Sequence, residues 1–181
     1  LIAGLYGIVD PERGEPAGQV ALLADEGVSI VQLRCKGWPR DRVRALALAV
    51  MPLPIRLVIN DDAALAAELG LLAHLGDGDG AALGPHGRST HTLEQVRDEA
   101  EADYIGFGPV FATGTKETSW SPRGTALLAA AVRTSTRPVV AIGGIGLHNI
   151  DEVRATGVQG WAVVGAIWGA ANPRSVVRQL R

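Results

Sequence analysis

Along residues 32–36 the order Gln32, Leu33, Arg34, Cys35, Lys36 puts a carboxamide and two cations at every second position. In an extended strand that spacing turns all three onto one face. Two cations beside an amide donor suit an anion with several oxygens. A polar outer face on an edge strand would give the same pattern, but helical segments on both sides favour a covered strand. Carboxylates follow, in Val58-Ile-Asn60-Asp61-Asp62 and in His74-Leu-Gly76-Asp77-Gly78-Asp79. Acids at two neighbouring strand ends can share a hard cation. Mg²⁺ takes one or two carboxylates and fills its shell with water and substrate phosphate. Helix capping by Asp61 or Asp62, and a turn at Asp77-Gly78, account for some of these acids equally well.

A second set of groups is suited to phosphate. The stretch Gly106-Phe-Gly-Pro-Val-Phe-Ala-Thr-Gly-Thr-Lys-Glu117 offers the hydroxyls of Thr113 and Thr115 and the ammonium of Lys116. Of seventeen basic residues only Lys36 and Lys116 are lysine, which singles both out in a chain that otherwise uses arginine. Ala141-Ile-Gly-Gly-Ile145 and Val163-Val-Gly-Ala166 end in glycines, where backbone N–H groups can approach a ligand closely. Ser89, Thr90 and His91 add a hydroxyl pair and an imidazole. No serine sits in a G-x-S-x-G elbow, and His74, His86, His91 and His148 follow no zinc spacing. Trp38, Trp120, Trp161 and Trp168 read as packing or loop anchors.

These groups need a frame that gathers strand ends. Short apolar runs are read as strands at Leu5–Asp10, Ser29–Arg34, Arg56–Asp61, Leu71–Gly76, Gly87–Thr90, Tyr104–Gly108, Pro138–Gly143 and Gly160–Gly165. Helices are expected over Gly18–Glu26, Arg40–Val50, Ala63–Leu69, Leu93–Ala100, Ala126–Thr134, His148–Thr156 and Pro173–Leu180, with Thr92 and Asn172 as caps. This alternation predicts a compact, closed (β/α)₈ barrel of the α/β class in one domain over residues 1–181, with a shortened crossover between the fourth and fifth strands. An open doubly wound sheet is the other architecture the pattern allows. In the barrel the polar strand ends converge on one face.

Composition narrows the function classes. The chain has 181 residues, 47% of them hydrophobic and 4% aromatic, so an aliphatic core is expected and disorder is excluded. A formal charge of −2 gives no basic field, so neither nucleic acid nor an anionic membrane is an expected partner. One cysteine makes no internal disulfide, and neither a leader pattern nor a long apolar run is present, as expected of a soluble cytoplasmic chain. The oligomeric state, including a homo-oligomer, is left open.

Taken in order, Gln32-Leu-Arg-Cys-Lys36, Ile59-Asn-Asp61, His74-Leu-Gly76 with Asp79, Gly87-Arg-Ser-Thr-His-Thr92, Tyr104-Ile-Gly-Phe-Gly-Pro-Val-Phe111 with Thr113-Gly-Thr-Lys116, and Val139-Val-Ala-Ile-Gly-Gly-Ile145 resemble the thiamine phosphate synthase family. That resemblance spans nearly the whole chain. It implies a TIM barrel that joins pyrimidine diphosphate to thiazole phosphate, releases pyrophosphate by way of a pyrimidine cation, and uses Mg²⁺. By the same resemblance Gln32, Arg34, Lys36, Asn60 and Lys116 hold the pyrimidine diphosphate, and Arg34, Lys36, Asn60 and Lys116 act in catalysis. Ser89 contacts the pyrimidine, Asp61 and Asp79 bind the metal, and Thr113, Thr115, Gly144, Val164 and Gly165 hold the thiazole phosphate. The chain departs from the family's usual residues in having Gly165 for serine and Asp77 for glutamine. A thiazole tautomerase of the same fold shares the Ser-x-His segment and would use His91 as acid and base. A barrel that only binds thiazole phosphate is a further alternative.

Overall fold

The computed structural model describes residues 2–114 and 119–181. Eight parallel strands close into a barrel in chain order: β1 (Gly4–Val9), β2 (Ile30–Leu33), β3 (Arg56–Asn60), β4 (Leu72–Leu75), β5 (His86–Thr90), β6 (Tyr104–Phe107), β7 (Val139–Ile142) and β8 (Gly160–Val163). Closure comes from β1 pairing with β8, Gly4 opposite Gly160 through Gly7 opposite Val163. The ring therefore has no edge strand, and the open-sheet alternative does not apply.

Alternation along each strand divides the apolar residues between two cores. Tyr6, Ile8, Ile30, Val58, Tyr104, Val140 and Ala162 point inward and fill the barrel. Leu5, Val9, Val31, Leu33, Leu57 and Ile59 point outward under the helices. The covering helices are α1 (Pro16–Asp25), α2 (Arg40–Val50), α3 (Ala63–Leu69), α4 (Leu93–Asp98), α5 (Gly124–Thr134), α6 (Ile150–Arg154), α7 (Gly165–Trp168) and α8 (Pro173–Leu180). Thr92 closes a full capping box with Gln95 at the start of α4, and Asn172 accepts from the Ser175 N–H at the start of α8.

Residues 76–85 carry no helix, so the fourth crossover is the shortened one expected, a loop joining β4 to β5. Two departures from the sequence reading concern this frame. Helix α6, between β7 and β8, begins at Ile150 rather than His148, because the Asn149 side chain accepts from the Gly146 N–H and donates to the Gly144 carbonyl, holding residues 144–149 as a turn. A short helix, α7, forms directly after β8 where strand end and loop were expected.

Candidate active site

The carboxyl ends of the strands enclose a cavity of about 640 Å³. Gln32, Arg34, Lys36, Asn60, Asp61, Asp79, Ser89, His91, Thr113, Gly144, Val164 and Gly165 all line it. Thr115 and Lys116 lie outside the described residues. The strand order distributes the others around the ring: Gln32 to Asp79 lie on or just after β2, β3 and β4, Ser89 and His91 at the end of β5, while Thr113, Gly144 and Val164-Gly165 follow β6, β7 and β8.

On the first arc, β2 stops at Leu33, so the alternation does not carry through to Lys36 as the spacing suggested. Arg34 follows the last strand residue, and its N–H still donates to the Val9 carbonyl. Its guanidinium reaches Asp10 at 3.0 Å, and Asp10 is itself buried with its N–H donating to Gln19. The cation is thus held in place before any ligand arrives. Lys36 sits in the following turn and pairs with Asp61 at 3.0 Å.

The two acids that spacing alone left unseparated sit differently. Asp62 accepts from the Leu65 N–H at 2.8 Å and caps α3. Asp61 is the one non-glycine residue among those described with positive φ, at 65°, and it turns into the cavity. Aspartate tolerates this left-handed conformation better than most residues, and such backbone strain gathers at functional sites. Asp79 accepts from the Gly76 N–H at 2.6 Å. Partial burial, with the neighbouring Asp61 charge adding to it, raises the Asp79 carboxyl above the ordinary aspartate range against the lowering effect of that N–H. Two carboxylates converging in this way form a hard oxygen pair that fits a divalent cation with water and phosphate in its remaining positions. Among the described residues no group of three or more His, Cys, Asp or Glu side chains could hold a metal, so this pair would need those added ligands.

Across the ring, Gly143 and Gly144 have φ of 100° and 65°. A Cβ at Gly144 would lie 2.4 Å from the Ala112 carbonyl oxygen, and one at Gly143 would lie 2.6 Å from Pro109 Cα. These glycines therefore have a packing reason that the sequence reading did not give them: they let the β7 loop nest against the loop after β6. Val164 and Gly165 open α7 beside them. Loops after the seventh and eighth strands with a short added helix are a frequent phosphate site in such barrels.

Sequence reasoning missed several residues beneath the cavity. His74 hydrogen-bonds Ser89 Oγ at 3.0 Å through Nε2 and Tyr104 at 2.9 Å through Nδ1. Tyr104 meets Tyr6 at 2.8 Å, and Gln32 Nε2 donates to Tyr6 at 3.2 Å. Desolvation raises both tyrosines well above the ordinary phenol range, so neither ionises near neutral pH. At the mouth, Trp120 stacks on His91 with ring centroids 5.0 Å apart, giving one tryptophan a place in the site. His91 Nδ1 faces the Gly108 carbonyl. Cys35 is buried, and desolvation followed by the Asp10 charge pushes its thiol up to about 11, which leaves it a poor nucleophile.

The family model described as thiamine monophosphate synthase matches residues 5–167. Thiamine-phosphate synthase of Herpetosiphon aurantiacus is 38% identical over 192 residues, covering 97% of this chain and 93% of that protein. The enzyme of the same name from Anaeromyxobacter dehalogenans is 38% identical over 197 residues, covering 99% of this chain and 87% of that protein. Among solved structures, thiamine phosphate pyrophosphorylase from Pyrococcus furiosus superposes with a TM-score of 0.86 at 28% identity, covering 99% of this chain and 94% of that one. The barrel, its ring of polar strand ends and these relatives agree that the chain belongs to the thiamine monophosphate synthase family.

Proposed function

We propose that the cavity joins the two halves of thiamine phosphate by a dissociative alkyl transfer. The chain is a thiamine-phosphate synthase, a transferase of thiamine biosynthesis. Its substrates are small molecules, here a pyrimidine diphosphate and a thiazole phosphate. Arg34, Lys36 and Asn60, with Gln32 beside them and with Lys116, hold the diphosphate. Ser89 on β5 contacts the pyrimidine. Thr113, Thr115, Gly144, Val164 and Gly165 hold the thiazole phosphate. Asp61 and Asp79 would hold Mg²⁺, which when bound supplies positive charge against the departing diphosphate.

The carbon–oxygen bond to the diphosphate breaks heterolytically, and its electron pair leaves with pyrophosphate. The resulting pyrimidine methyl cation is stabilised by the ring's amino group. The thiazole nitrogen then donates its lone pair to that carbon and forms the new carbon–nitrogen bond. No protein nucleophile enters. The chain's task is to meet the charge that builds on the leaving group with donors already in position, and to hold the two rings in line. The Arg34–Asp10 pair at 3.0 Å supports the first part, since it orients the cation in advance.

The observation that carries this reading is the division of the ring. Cations and paired carboxylates follow β2 to β4, the glycine-rich strand ends follow β7 and β8, and Ser89 lies between. Incubation with both substrates and Mg²⁺ should yield thiamine phosphate. Lys116→Ala should lower that turnover by roughly two orders of magnitude or more, since one preorganised donor to a developing charge is worth ~2.7–4 kcal/mol. His91→Ala should cost far less, because this route needs no imidazole base. A protein that only isomerises thiazole, loses that activity with His91 and keeps it without Lys116 would be the tautomerase instead.

A further inference from the structure

Five side chains from five strands form an unbroken hydrogen-bonded line across the inside of the barrel: Gln32, Tyr6, Tyr104, His74 and Ser89. Both ends of this line open on the cavity, where Gln32, His74 and Ser89 are lining residues. Its middle does not, for Tyr6 is 2% exposed and Tyr104 0%. The sequence provides room for it. A Cβ at Gly87 would lie 2.0 Å from the Tyr104 ring, and one at Gly106 would lie 3.2 Å from the His74 ring.

The direction of every bond follows from the first. The Gln32 amide nitrogen faces Tyr6 and can only donate, so the Tyr6 oxygen accepts and its single proton is directed at Tyr104. Tyr104 in turn donates to His74 Nδ1, which leaves the histidine proton on Nε2 facing Ser89. Ser89 Oγ accepts from that N–H, and its own proton is available to the cavity. We propose that Tyr6 and Tyr104 are positioning residues that relay the orientation of the Gln32 amide to His74 and Ser89, fixing the Nε2–H tautomer and making Ser89 a hydrogen-bond donor to a ring nitrogen of a bound heteroaromatic substrate.

The relay rests on the reading of Ser89 as a pyrimidine contact only for the identity of its ligand. It has a chemical use in that setting. An aminopyrimidine presents ring nitrogens that accept, so a serine with its proton committed elsewhere would oppose it lone pair to lone pair. A single neutral tautomer of His74 also places no extra positive charge beside a developing pyrimidine cation.

The test needs no substrate, so it fails separately from the proposed reaction. Long-range ¹H–¹⁵N correlation spectra of the ¹⁵N-histidine-labelled protein read which His74 nitrogen carries the proton. The relay requires Nε2–H in the unaltered protein. In Gln32→Glu the carboxylate accepts from Tyr6, every bond in the line reverses, and His74 should become Nδ1–H. In the double variant Tyr6→Phe/Gln32→Glu the line is cut and His74 should return to Nε2–H. An Nδ1–H or doubly protonated ring in the unaltered protein overturns the proposal. So does a reversal that persists when Tyr6 is phenylalanine. Should Gln32→Glu not fold, the tautomer of the unaltered protein decides alone.

Discussion

At the scale of single residues, what separates neighbours of the same type is where the backbone turns them. Asp61 and Asp62 are adjacent carboxylates, yet one spans a helix start and the other, at φ 65°, enters the cavity opposite Asp79. With Mg²⁺ held as proposed, Asp61→Ala and Asp79→Ala should each lower turnover at limiting Mg²⁺ by roughly two orders of magnitude, because each would remove one of its two carboxylate ligands. Circular dichroism should show the fold unchanged, and unaltered activity in both would end the metal assignment. The same scale shows what sequence could not supply. Spacing brought out Arg34 but not its partner Asp10, because that pair is made by the register of β1 against β2 and not by any local pattern. Gly165 offers a test of the phosphate arc. It opens α7 in the proposed thiazole phosphate subsite with no side chain of its own, so Gly165→Ser should tighten thiazole phosphate binding by no more than one hydrogen bond to a charged group, ~1.5–3 kcal/mol. Titration calorimetry reads this directly, and weaker binding would mean the chain needs glycine there.

At the scale of elements, small residues set how far large ones can turn inward. Gly87 on β5 lies opposite Tyr104 on β6, and a methyl group there would occupy the phenol ring's own position, 2.0 Å from its Cζ. Gly87→Ala should thus cost ~1–3 kcal/mol by overpacking, seen as a Tm lower by roughly 3–10 °C. It should also disturb the His74 tautomer, which a remote destabilising change would not do. An unchanged Tm would show that the ring moves aside freely. Most elements were legible because burial of a parallel strand on both faces leaves an apolar run, as in Leu57-Val58-Ile59, and helices such as α3 and α4 carry their own caps. Two features were not. The four residues of α7 are too few to show a period, and they follow β8 without a cap side chain. The Tyr6–Tyr104 contact joins residues 98 positions apart, which no spacing argument reaches.

For the whole molecule, the cavity occupies the carboxyl end of the barrel and a cluster of ion pairs fastens the other. Glu26, just past α1, accepts from Arg174 Nη1 at 2.7 Å and from Arg178 Nε and Nη2 at 2.6 and 3.0 Å, both arginines lying on α8. Arg174 also reaches Asp25 at 3.0 Å, and the Arg181 side chain donates to the Glu26 carbonyl. The first and last helices are thereby joined beneath the β1–β8 seam that closes the ring. The hydrogen bonds from Arg178 and then Arg174 lower the Glu26 carboxyl from 4.5 to about 2. In the unfolded chain it protonates at the higher value, so the unfolded state takes up the proton first as pH falls. The clasp's contribution is complete above the ordinary glutamate range, declines as pH drops below about 4.5 and is gone below about 2. Glu26→Gln should accordingly lower Tm at neutral pH, and the gap from the unaltered protein should narrow steadily between about pH 5 and pH 2. Turnover at 25 °C should be unchanged, since no cavity residue is touched. A gap of constant size across that range, followed by thermal unfolding at each pH, would show that the clasp holds by packing and not by charge.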